Sequence, residues 1–165
     1  MRQLIWLRSD LRVHDNSALA SAMAAGPTLA LYLLSPRQWL AHDDAPCKVD
    51  FWLRNLVELQ RALQRLNVPL LVRQCDDWEQ APAVLAEVCR EQAIAAVQVN
   101  EEYGVHESLR DRTTAAYLAQ QDVAWHSHLD QLLFKPGSVL TQSGGYFQVY
   151  SQFRKVCYQR LHTAL

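Results

Sequence analysis

No apolar stretch in this sequence reaches the roughly eighteen residues that a membrane-spanning helix requires. Glycine and proline are scarce, at five and six residues of 165, and no low-complexity tract occurs, which excludes disordered and collagen-like chains. Neither sign of charge is in excess: 16 basic and 17 acidic side chains leave a formal charge of −1. The sequence-independent part of nucleic-acid affinity comes from basic groups facing phosphates. A strong nucleic-acid-binding surface is therefore not expected within this segment, local patches aside. The start, MRQLIWLRSD, lacks the basic region, apolar core and cleavage site of a signal peptide, which predicts a cytoplasmic protein. The four cysteines, Cys47, Cys75, Cys89 and Cys157, form no C-x-x-C pair and read as buried or partly buried thiols of a reducing compartment. Three motifs are missing as well. No G-x-G-x-x-G follows the first strand, no G-x-x-x-x-G-K-[ST] occurs, and there is no G-x-S-x-G. Ordinary dinucleotide binding, P-loop nucleotide binding and serine-hydrolase chemistry lose their support.

What is present is the size of one domain, half of it hydrophobic, with an alternating strand and helix pattern. Nearly continuous apolar runs predict strands at Leu4–Leu7, Thr28–Leu34, Pro69–Arg73, Ala95–Val99 and Val123–His126. Runs of this kind belong to parallel sheets covered by helices on both faces. Between them, Val49, Trp52, Leu56, Leu59, Leu63 and Leu66 recur at spacings of 3, 4, 3, 4 and 3 along one face of a long helix. Pro46 suits its first turn, and Asn67-Val68-Pro69 ends it. A first helix is expected to start at Asp15 or Asn16, which can cap it, and to stop at Gly26-Pro27. Further helices are expected from about Trp78 to Gln92 and from Val105 to Gln121. The order predicts an α/β fold: a doubly wound, five-stranded parallel Rossmann-like sheet with right-handed crossovers, spanning residues 1–130. Residues 131–165 are turn-rich around Lys135-Pro136-Gly137-Ser138 and Ser143-Gly144-Gly145, then return to a helical stripe through Tyr150, Phe153, Cys157 and Leu161. That segment reads as the start of an interdomain linker. The stripe reaches Leu165 with no glycine, proline or polar run to close it, which predicts the first domain of a longer protein.

Ligands of open parallel sheets collect beyond the carboxyl ends of the strands, where the strand order reverses. Three polar loops leave such ends here: Arg8 to Asp15 after strand 1, Ser35 to His42 after strand 2, and Asn100 to Glu107 after strand 4. They converge on one cleft if strand 1 lies between strands 2 and 4. Arg8 and Asp10 read as a structural ion pair that fixes the first loop. Arg37, Trp39 and His42 supply a planar cation, a flat ring and an imidazole, a set able to line a pocket for an aromatic heterocycle. Taken singly, Trp39 reads rather as partial core and His42 as an ordinary surface histidine. Glu107 can accept paired N–H bonds from a heterocycle edge, or be a solvated charge that the helix dipole favours. His106 beside it is a candidate donor. His126 and His128 share a strand face without a regular third ligand, so no metal site is expected.

The block from Trp6 to Asn16, W-x-R-x-D-L-R-x-x-D-N, resembles the opening of the DNA photolyase/cryptochrome family. Further matches are Tyr32-Leu33-Leu34-Ser35-Pro36-Arg37-Gln38-Trp39, the run Asn100 to Asp111, and Pro136-Gly137-Ser138-Val139-Leu140 with Ser143-Gly144. The pattern is nearest the N-terminal antenna domain of bacterial class I cyclobutane-dimer photolyases. The resemblance implies that His42 and the pair His106-Glu107 occupy positions that contact a folate-type antenna cofactor, methenyltetrahydrofolate. Other members bind a deazaflavin or a flavin there. The family's usual residue at position 106 is asparagine, and Val149-Tyr150-Ser151-Gln152-Phe153 departs from a V-F-T-P-F pattern.

The resemblance further implies a downstream helical domain, absent from these residues, that holds FAD and binds damaged DNA. The whole protein would be a deoxyribodipyrimidine photo-lyase that uses light to split pyrimidine dimers. The alternative is a cryptochrome photoreceptor with the same first domain and no repair. On either reading no catalytic residue lies in this segment, and the segment alone is expected to be inactive.

Overall fold

Successive side chains of the first apolar run point to opposite sides of β1 (Arg2–Leu7), and that alternation divides the core in two. Leu4 and Trp6 join one buried cluster with Leu31, Leu85, Val88, Val97 and Leu118. Ile5 and Leu7 join the other with Leu19, Ala30, Leu56, Leu59 and Leu63. In the computed structural model, which describes residues 1–164, the chain forms two compact units, Met1–Asp130 and a second beginning at Gln131.

The first unit continues through α1 (Ser17–Ala25), β2 (Thr28–Leu34), α2 (Pro36–Ala41), α3 (Pro46–Arg65), β3 (Leu70–Gln74), α4 (Ala81–Glu91), β4 (Ile94–Asn100), α5 (Val105–Ala119) and β5 (Ala124–His128). The five strands are all parallel and lie in the order β3-β2-β1-β4-β5. The order reverses at β1, so the crevice between β1 and β4 is the switch point of a doubly wound sheet. Helices α1 and α3 supply the cluster on one face, α4 and α5 that on the other. The fold class is that expected from the sequence, and the condition for the three polar loops to converge, β1 between β2 and β4, is met.

The helix limits follow local chemistry. Asn16 caps α1, its side-chain oxygen accepting from the Leu19 N–H at 3.0 Å. Helix α3 ends where Asn67 takes a left-handed conformation, φ 57°, which asparagine tolerates better than most residues. Two departures from the sequence reading stand out. The segment after β2 contains α2, too short at six residues to show helical periodicity. Trp78 lies before α4 rather than at its start, in a turn where its N–H donates to Gln38 Oε1 at 3.2 Å.

Two side-chain expectations need correction. Arg8 and Asp10 are not an ion pair: Asp10 turns back to accept the Arg8 backbone N–H at 2.9 Å, and the Arg8 guanidinium pairs with Asp111 at 3.1 Å. Cys47 is exposed, because it lies in the first turn of α3; Cys75 and Cys89 are buried and Cys157 half-buried. Burial pushes the Cys89 thiol up to about 12. Burial and then the Asp77 charge push Cys75 up to about 11, so both thiols stay protonated at neutral pH.

The second unit carries α6 (Tyr150–Ala164) behind a turn-rich stretch. Thr141 Oγ1 accepts the Gly145 N–H at 3.0 Å, and Arg160 donates to the Ser138 carbonyl at 2.8 Å. Phe147 and Phe153 meet edge to face. Among the described residues no helix is long and apolar enough to cross a membrane.

Asn100, at the end of β4, is 1 % exposed and uses its whole carboxamide. Its oxygen accepts the Ala18 N–H at 3.0 Å, and its nitrogen donates to Asp10 Oδ2 at 2.6 Å and Asn16 Oδ1 at 2.9 Å. Asn100→Ala leaves a buried carboxylate and a buried N–H without these partners, each worth about 1–3 kcal/mol. We expect a loss of about 3 kcal/mol in urea unfolding; a loss below 1 kcal/mol would show that these bonds are replaced by water.

A second polar ladder crosses the sheet. His128 Nε2 lies 2.8 Å from Gln98 Oε1, and Gln98 donates to Gln3 at 3.0 Å. Burial and then the neighbouring His126 hold the His128 imidazole below the usual range, against the opposing pull of Asp130 and Glu101. The unfolded chain therefore binds a proton at a higher pH than the native one. The stability this contributes is full above the ordinary histidine pKa of about 6.5 and is lost as pH falls through the depressed native value. The melting temperature should drop between about pH 7 and pH 5, and drop less in His128→Gln. Equal drops in the two proteins would remove His128 as the cause.

Candidate functional site

The carboxyl ends of β1, β2 and β4 surround a cavity of about 200 Å³. Trp6 and Arg8 reach it from β1 and its loop, Tyr32 from β2, and Trp39 and His42 from α2 and its cap. Lys48 and Trp52 come from the first turns of α3, and Glu107 and Arg110 from the start of α5.

The floor is a stack of indoles and guanidinium groups. Arg8 and Arg110 each lie 5.0 Å from the Trp6 ring centre, and Arg110 lies 4.6 Å from that of Trp78. Arginine favours such packing because its cation is planar and weakly hydrated. Both cations are also paired. Arg110 donates to Glu102 and Asp111 at 2.7 Å each, and Arg8 to Asp111 and to the Asn100 carbonyl. Burial acts to raise the Glu102 pKa, but Arg8 and Arg110, with bonds from Ser9 and Arg110, outweigh it and hold the carboxyl below the ordinary range. Glu102 is thus a fixed anion at neutral pH. Tyr32 is a fixed hydroxyl donor, since burial and then Glu102 and Asp44 push it up to about 12.

The walls are aromatic. Trp39 and Trp52 lie 6.2 Å apart, and Lys48, paired with Asp44, sits over Trp52 at 4.7 Å. His42 meets Trp78 edge to face at 5.1 Å and His106 at 5.2 Å, and its Nε2 lies 2.8 Å from Gln38 Nε2. Glu107 lines the same cavity, and its carboxylate makes no ion pair or hydrogen bond among the described residues.

Of the residues singled out in the sequence, Trp39, His42 and Glu107 are brought together in the lining. Arg37 is not; its exposed side chain pairs with Asp77 at 3.4 Å. His106 is exposed and reaches the site only through His42. Trp52, Lys48, Trp78 and Arg110 enter the lining unannounced. Trp52 had stood in the apolar stripe of α3, and Lys48 lies four residues before it on the same face, which was the available signal. Arg110 and Trp78 meet only through tertiary contact.

Three cations, Arg8, Lys48 and Arg110, face three carboxylates, Asp44, Glu102 and Glu107. This balance suits a flat polar-edged ring better than a pyrophosphate, for which no glycine-rich turn exists. Fold and site together define a doubly wound α/β domain with an aromatic cleft at its switch point. The chain belongs to the DNA photolyase family: the model of that family, described as DNA photolyase, matches residues 3–165. The chain is similar to a deoxyribodipyrimidine photo-lyase of Vibrio cholerae, with 36% identity over 93% of this chain and 33% of that protein. It is similar to another of that name from Escherichia coli, with 33% identity over 98% of this chain and 34% of that protein. A crystal structure of a bacterial class III photolyase from Agrobacterium tumefaciens superposes with a TM-score of 0.73 at 26% identity, covering 94% of this chain and 31% of that one. The chain thus spans about a third of the length of the curated relatives it matches.

Arg110→Met keeps much of the side chain's stem but leaves the Glu102 and Asp111 carboxylates without that partner. Breaking one side of a buried ion pair costs about 3–5 kcal/mol. We expect a loss near the lower figure, since Arg8 still reaches Asp111, together with altered tryptophan fluorescence from Trp6 and Trp78. Unchanged stability and emission would mean that the stack contributes nothing to the floor.

Proposed function

We propose that this chain is the light-harvesting domain of a deoxyribodipyrimidine photo-lyase and that its cleft takes a planar antenna chromophore of the folate type. The observation that carries this reading is the unpaired Glu107 carboxylate in a wall otherwise built of aromatic rings. An ionised carboxylate accepts only, and it selects an occupant edge that presents N–H donors. Trp39, Trp52 and His42 offer ring surfaces to such an occupant, while the Tyr32 hydroxyl can donate. Arg8 Nε, buried and without a hydrogen-bond partner among the described residues, leaves a further donor in the floor.

The residues fit the group chemically, and the cavity volume sets how it is held. Pockets that enclose a whole ligand measure about 300–1,000 Å³; this one is smaller and takes the ring end alone. When bound, the chromophore supplies absorption of near-ultraviolet or blue light and passes the excitation on. In the whole protein the recipient would be FAD in a downstream helical domain, which would also bind the damaged DNA. A formal charge of −1 accords with that division of labour.

Titration of the chain with methenyltetrahydrofolate, followed by fluorescence, tests the reading. Wild type should bind in the micromolar range. Glu107→Ala should weaken binding roughly ten- to a hundredfold, since a hydrogen bond to a charged group is worth about 1.5–3 kcal/mol. His42→Ala should act in the same direction but less. An affinity unchanged by Glu107→Ala would retire that residue from the site, and tighter binding of a deazaflavin or flavin would change the chromophore class. For the whole protein, light-dependent repair of a dimer-containing oligonucleotide supports the photolyase reading; stable photochemistry without repair favours a cryptochrome.

A further inference from the structure

Gly104 caps α5 with φ −64° and ψ 154°, a conformation open to any residue, so the backbone does not explain a glycine there. The space does. A methyl group at position 104 would stand 2.7 Å from Glu107 Cδ and 3.3 Å from Oε1, and closer still to Oε2. The Glu107 carboxylate therefore rests on the bare α carbon of Gly104. Held there, it remains in the cavity lining. Nothing else fixes it, because it has no ion pair or hydrogen bond among the described residues.

We propose that Gly104 is a positioning residue: by lacking a side chain it sets the Glu107 rotamer that presents the carboxylate to the cleft's occupant. Any larger residue pushes the carboxylate off its seat, and the far end of a flexible side chain yields before the helix does. This rests on the reading of Glu107 as the chromophore's acceptor and adds the residue that aims it. The apolar wall and the paired Asp44–Lys48 leave the aim of Glu107 to its own helix turn.

The test compares Gly104→Ala and Gly104→Ser in the 165-residue chain, the serine variant supplying a capping hydroxyl so that loss of helix stability is separated from loss of aim. Both should raise the Kd for methenyltetrahydrofolate about tenfold in the presence of Glu107 and leave it unchanged in a Glu107→Ala background. Side-chain NMR should show proximity between the Gly104 α protons and the Glu107 γ protons in wild type, and a changed Glu107 rotamer in both variants. An equal weakening with and without Glu107 would show that Gly104 acts on the fold and would overturn the proposal. So would wild-type affinity in both variants. If Glu107→Ala alone leaves binding unchanged, the antenna reading of Glu107 fails instead, and the NMR comparison still decides whether Gly104 sets its rotamer.

Discussion

The carboxamide of Asn100 joins the end of β4 to the start of α1 and to the loop that leaves β1, while its carbonyl receives Arg8. Two parallel strands that part in opposite directions have no hairpin to hold their ends together; the connection must come from side chains. In this sheet the buried carboxamide makes it. Its nitrogen holds Asp10, and Asp10 in turn holds the Arg8 backbone. Arg8 then stands beside Trp6 and reaches Asp111 on α5. The floor of the cleft is therefore an extension of the switch-point bonding rather than a separate feature set upon it.

That dependence explains what was legible in the sequence. Apolar runs, helical spacings and capping or breaking residues are local signals, and they located all five strands with α1, α3, α4 and α5, α4 with too early a start; the strand order across the sheet entered only as a condition. The polar loops after β1, β2 and β4 were legible as a candidate site because topology alone brings strand ends together, and residues of all three line one cavity. The partner of Arg8 was not. Asp10 is two residues away in sequence, and Asp111 is brought close only by the packing of α5 on the sheet. Trp78 and Arg110 escaped for the same reason, since a cation between two indoles has no sequence period. Helix α2 escaped because six residues hold too few repeats to register. Arg37 lies outside the cavity lining, its cation paired with Asp77, a contact that no local pattern announces.

Floor and wall differ in kind. The floor charges are mutually satisfied: Arg110 spans Glu102 and Asp111, and Arg8 shares Asp111. Such a set resists rearrangement, because moving any member exposes another buried charge without its partner. It contributes shape and a constant field but has little bonding capacity to give an occupant beyond Arg8 Nε. On the proposed reading, selectivity falls to the wall, through its ring faces and through Glu107, which sits at the favourable amino end of α5.

A carboxylate kept free in this way has a physical cost and a use. Asp44 and Lys48 show that nearby charges pair when they can, as do Arg37 and Asp77 across two other segments. Glu107 makes no such pair among the described residues, and a solvated charge would be ordinary on an open helix. Its place in the lining of an aromatic cavity changes the balance: an occupant that removes water must replace the lost hydration with its own donors. An occupant without N–H groups would leave the carboxylate desolvated and is rejected; one with paired N–H groups is held in a single orientation. Orientation is the property that matters for passing excitation, since the protein's contribution to cofactor chemistry is placement. On the proposed reading, the rigid floor would fix how far a ring end enters, and the carboxylate how it is turned.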